Sequence, residues 1–117
     1  MPTIRTAGFD HVHVGVRDLD AALAFYRAAF GAQEAFRVGA QLVFVRLGGG
    51  EVVGLDGRPP AERIANHVGL TLAPGEDLDV AAETIVRAGG SVLERGEHAA
   101  GVPYAYVADP DGNVIEL

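Results

Sequence analysis

The chain has 117 residues, about half of them apolar, which is enough for one domain with a real core and too few for two independent ones. Nine arginines against sixteen acidic residues leave a net charge of -7, which repels nucleic-acid phosphates and anionic membranes. Cysteine and lysine are absent and Ser91 is the sole serine, so thiolate and Schiff-base chemistry are excluded, and a serine hydrolase would lack its G-x-S-x-G elbow.

The elements follow in chain order. Val12, Val14 and Val16 alternate with Phe9, His11, His13 and Gly15, the two-residue period of a strand with one face packed on a helix. Asp18 is placed to cap a helix whose stripe is Leu19, Ala22, Leu23, Tyr26 and Phe30, and Gly31 is placed to stop it. Short runs at Gln33 to Val38, Leu42 to Leu47 and Glu51 to Asp56 read as strands, separated by Gly39 and Gly48-Gly49-Gly50. Gly57-Arg58-Pro59-Pro60 reads as a link, since proline stops regular structure.

His67-Val68-Gly69-Leu70-Thr71-Leu72 then repeats the opening strand. Asp77, Leu78, Ala81, Ala82 and Ile85 repeat the capped helix, which ends at Gly89-Gly90. Strands are expected at Ser91 to Glu94, Tyr104 to Ala108 and Asn113 to Leu117, with a loop over Gly96 to Gly101 and a turn at Asp109-Pro110-Asp111-Gly112. The fold class is therefore α+β: two β-α-β-β-β modules, about 8–57 and 64–117, within one domain covering 1–117.

The repeat puts His11 and His67 at equivalent positions, and strand alternation puts Glu116 on one face with Val114. An ionised carboxylate in an apolar strand needs pairing, protonation or a metal, and two imidazoles favour a metal; an exposed Glu116 and two core histidines are the alternative. No window reaches the roughly 18 consecutive apolar residues of a membrane span, and the N-terminus has no signal-like apolar stretch, so the expected compartment is the cytoplasm.

Asp10-His11-Val12, Asp18-Leu19, Ala24-Phe25-Tyr26, Gly31, His67 and Asp109 to Leu117 together resemble the vicinal oxygen chelate superfamily. That group includes glyoxalase I, methylmalonyl-CoA epimerase, extradiol dioxygenases, fosfomycin-resistance transferases and bleomycin-binding proteins. The resemblance implies a half-open barrel of two βαβββ modules around one divalent ion (Fe, Mn, Ni, Co or Zn) held by His11, His67 and Glu116. It also implies a homodimer and a small-molecule substrate that chelates through oxygens, acted on by a lyase, isomerase or dioxygenase. Two alternatives are a bleomycin-resistance-like protein that sequesters a drug in the dimer groove, and a metal-holding sensor or carrier without turnover.

A fourth ligand is missing. Gly50 to Leu55 aligns with Gly112 to Leu117, so Gly54 stands where Glu116 has its counterpart. Asp56, beside the turn, reads as a surface residue more readily than as a substitute. Tyr106, ten residues before Glu116, is a candidate hydrogen-bond donor to a bound oxyanion, or else a core tyrosine. His13 is a candidate proton carrier or support for the ligands, or else a polar wall residue. His98, in its expected loop, is a weaker acid-base candidate.

Overall fold

The computed structural model describes residues 3–117. The chain divides into two compact units: Asp10–Asn66, and His67–Leu117 together with the segment up to Phe9. Eight strands and two helices are present among the described residues, in the order β-α-β-β-β twice over. No helix among the described residues is long and apolar enough to cross a membrane.

In the first module, β1 (Thr6–Gly15) leads into α1 (Leu19–Phe30), β2 (Gln33–Val38), β3 (Leu42–Arg46) and β4 (Val52–Asp56). Asp18 adopts an extended backbone and its side chain accepts from Ala21 N at 3.0 Å, satisfying one of the amides a helix start leaves open. Gly31 closes α1 at φ 63°, a left-handed turn that glycine enters without a Cβ clash. β4 returns parallel to β1 and antiparallel to β3, giving the strand order β2-β3-β4-β1.

Leu19 and Leu23 of α1 are buried against Val43, Val45 and Leu55, and Val14 and Val16 pack on this cluster from β1. Phe30 departs from the expected stripe. It remains 54% exposed, with its ring against Tyr26 and Phe25 instead of the core.

The second module repeats the plan with β5 (His67–Leu72), α2 (Leu78–Arg87), β6 (Ser91–Ala99), β7 (Val102–Ala108) and β8 (Val114–Glu116), in the order β5-β8-β7-β6. Asp77 caps α2 by accepting from Val80 N at 3.0 Å. The buried hydrophobic residues here are small: Ala81 and Ala82 on α2, and Ala105, Val107 and Ala108 on β7.

The expected loop over Gly96 to Gly101 is corrected. β6 continues to Ala99 and pairs with β7 through Glu97↔Pro103 and Ala99↔Val102, with bulges absorbing the irregular register. Only Ala100 and Gly101 remain for the turn, and Gly101 takes φ 78°.

Candidate metal centre and its supporting residues

Glu116 is delivered by the turn before it. Asp109 accepts from the amides of Asp111 and Asn113, both at 2.9 Å, and from the Asn113 side chain at 2.8 Å. Those bonds hold the carboxyl of Asp109 below the usual carboxylate range and launch β8 in a fixed direction. β8 then runs beside β5 with His67↔Val114 and Gly69↔Glu116, and beside β7 with Tyr106↔Glu116.

Within this module the structure brings five side chains together. His67, whose side chain is 1% exposed, has Nε2 3.1 Å from Glu116 Oε1. His98 reaches across from β6 with Nε2 2.6 Å from Glu116 Oε2, and its ring stacks on Tyr104 at 4.2 Å. Tyr106 meets His67 edge-on at 5.2 Å. Burial, followed by the charge of Glu116 and a hydrogen bond to it, pushes the Tyr106 phenol well above its ordinary pKa. Tyr106 therefore stays protonated and donates to Glu116. The carboxylate is half-buried, its side chain 12% exposed, and partnered by His67 and His98, so it is not simply exposed.

Within the first module, His11 is half-buried on β1, with Nδ1 2.8 Å from Asp10 Oδ1 and its ring edge-on to Phe44 at 5.8 Å. An ionised carboxylate only accepts, so Nδ1 carries the proton. His13, two residues on, is 1% exposed and places Nε2 3.1 Å from Asp56 Oδ2.

Asp56 overturns its reading as a surface residue: it is fully buried at the end of β4. Arg58 donates to it from Nε at 2.9 Å and Nη2 at 2.7 Å, and the amides of Arg58 and Ile64 donate at 3.1 Å each. Burial alone would raise its pKa. The Arg58 guanidinium, His13 and the two amides outweigh that and hold the carboxyl well below the usual range. These bonds also fold the link over β4, where Arg63 donates to Arg58 O at 2.9 Å and Val16 O at 3.2 Å. The readable hint was Arg58 two residues after Asp56, a spacing that suits a guanidinium fork on a carboxylate.

The family model of the Glyoxalase/Bleomycin resistance protein/Dioxygenase superfamily matches residues 8–117. No curated protein sequence matches the chain. Among solved structures, it is similar to a variant of methylmalonyl-CoA epimerase from Streptomyces coelicolor in complex with 2-nitronate-propionyl-CoA. That similarity has 23% identity and a TM-score of 0.67, and covers 96% of both chains. The Mn(II)-bound glyoxalase from Novosphingobium aromaticivorans is similar at 24% identity and TM-score 0.74, over 97% of this chain and 38% of that one. A variant of homoprotocatechuate 2,3-dioxygenase from Brevibacterium fuscum is similar at 18% identity and TM-score 0.76, over 98% of this chain and 33% of that one. The chain thus spans about a third of the length of the latter two, and these likenesses show the fold.

Proposed function

Because the chain belongs to the Glyoxalase/Bleomycin resistance protein/Dioxygenase superfamily, we propose that it is a divalent-metal-dependent enzyme of lyase, isomerase or dioxygenase type. Its substrate would be a small metabolite that chelates the ion through adjacent oxygens. The ligands are His11, His67 and Glu116, two imidazoles and a carboxylate of the kind that could hold a metal ion. The observation that carries this reading is the part-buried pairing of His67 with Glu116. In the structure His67 Nε2–H donates to Glu116 Oε1 at 3.1 Å, and loss of that proton would leave both atoms free to ligate one ion.

The donor chemistry fits as well. With its Nδ1 proton given to Asp10, the neutral His11 ring has its lone pair on Nε2, the arrangement in which a carboxylate orients a ligating histidine. Two imidazoles and one carboxylate suit Fe(II) or Mn(II) and leave coordination positions for substrate. When bound, the ion supplies Lewis acidity toward the chelating oxygens. Tyr106, which in the structure gives its one O–H to Glu116, would turn it toward an oxyanion of the bound substrate, while His13 serves as the proton carrier on the His11 face of β1. The resemblance adds a homodimer, and the lack of cysteine fits a reducing compartment such as the cytoplasm.

The test is elemental analysis of protein purified without chelator, beside His67→Ala and Glu116→Ala. About one divalent ion per chain, lost in both variants, supports the reading. A wild type that takes up neither Mn(II) nor Fe(II) on reconstitution sinks it and redirects the search to drug-binding titrations.

A further inference from the structure

The two modules can be compared strand by strand, each within itself. In the second, Gly69 of β5 and Tyr106 of β7 flank Glu116 of β8. In the first, the same registers put His13 of β1 and Phe44 of β3 on either side of Gly54 of β4. The matching histidines put His13 opposite Gly69, and the strand registers then match Gly54 to Glu116 and Phe44 to Tyr106. One module carries glycine on its first strand and a carboxylate on its last. The other carries an imidazole on its first strand and glycine on its last.

The volumes agree with this exchange. A Cβ on Gly54 would lie 2.8 Å from Phe44 Cε1 and 3.1 Å from His13 Nδ1, so those two rings occupy the space a side chain at 54 would enter. Neither ring is loosely held. Phe44 stacks on Phe36 at 4.5 Å, and His13 is tied through Nε2 to the fully buried Asp56. Because the Asp56 carboxylate only accepts, it keeps a proton on Nε2 and turns Nδ1 toward Gly54.

We propose that His13 is a relocated site residue, supplying from β1 the polar side chain that position 54 lacks on β4, and that Asp56 is the positioning residue that fixes its ring. The functional half of this inference rests on the ligand set proposed above; the spatial exchange does not.

A double-mutant cycle on metal-free protein tests the exchange. Gly54→Glu alone should lower the denaturation midpoint, and part of that loss should vanish on a His13→Gly background, since one of the two rings in its way is then gone and Phe44 alone has to shift. Additive effects overturn the exchange. Mn(II) titration followed by electron paramagnetic resonance tests the functional half. The double variant, which copies the Gly69 and Glu116 arrangement, should bind at least about ten-fold tighter than His13→Gly alone through its added carboxylate. Equal affinity overturns that half. A wild type that binds no Mn(II) while the cycle still shows coupling overturns the ligand set and leaves the exchange standing. For Asp56, nitrogen NMR of the imidazole should find the His13 proton on Nε2 in the wild type and redistributed in Asp56→Asn; a wild-type proton on Nδ1 alone overturns the positioning role.

Discussion

Replacing Asp56 by alanine removes an acceptor that serves five donors at once, and the cost can be built up from their surroundings. The Arg58 side chain is 34% exposed, so water takes over its charge and the lost ion pair is worth at most about 1 kcal/mol. His13 is 1% exposed, and its stranded Nε2–H costs about 1–3 kcal/mol. The partly buried amides of Arg58 and Ile64 add about 0.5–1 kcal/mol each. The total is about 4 kcal/mol, a large share of the roughly 5–15 kcal/mol that holds a domain folded. Urea titration followed by circular dichroism measures it, and the melting temperature should fall by roughly 15 °C.

The pH dependence carries a sign. The Asp56 carboxyl sits lower in the folded chain than its unfolded value of about 3.9, so its contribution is complete above that value and is lost as pH falls below it. Asp56→Ala should therefore show a flatter acid limb below about pH 4 than the wild type. A loss under about 1 kcal/mol, or an unchanged acid limb, refutes the account of Asp56 as the centre of a buried network.

Tyr106→Phe keeps the ring against His67 but removes the donor to Glu116; it should leave the fold intact by circular dichroism and weaken Mn(II) binding about ten-fold in calorimetric titration. Leu55→Ala empties a fully buried site in the first module and should cost about 3 kcal/mol by denaturant titration, where Leu55→Met should cost under about 1.5. Asp18→Ala should cost about 1 kcal/mol through the lost cap, while Asp18→Asn should recover most of it.

The features readable in advance were those decided by neighbours in the chain. Asp18, Gly31 and Asp77 stand where caps are needed, and a cap is formed with an amide three or four residues away. β2 runs from Gln33 to Val38 as expected because Gly31 and Gly39 bracket it. That His67 and Glu116 each sit on a strand was also readable, from the repeat for one and from alternation with Val114 for the other.

Asp56 was misread for the opposite reason. Whether a carboxylate is buried depends on what comes to meet it, and its partners are drawn from β1, from Arg58 and from Ile64. His98 was assigned to a loop because Gly96 and Gly101 look like its borders. Gly96 in fact lies within the strand, where a Cβ would come within 2.7 Å of the Tyr104 hydroxyl. That glycine reports a close approach by a neighbour, which no local pattern distinguishes from a turn.

The crowding at Gly54 also bears on how such a chain can change over generations. The two modules share one plan and differ in sequence, but within the first of them residues 13 and 54 are not free of each other. A side chain at 54 meets the Phe44 ring at 2.8 Å and the His13 ring at 3.1 Å, so it is accommodated at lower cost once the ring at 13 has become smaller. The order of substitutions therefore matters to stability: a side chain regained at 54 in one step lowers it, and one regained after position 13 has become smaller lowers it less.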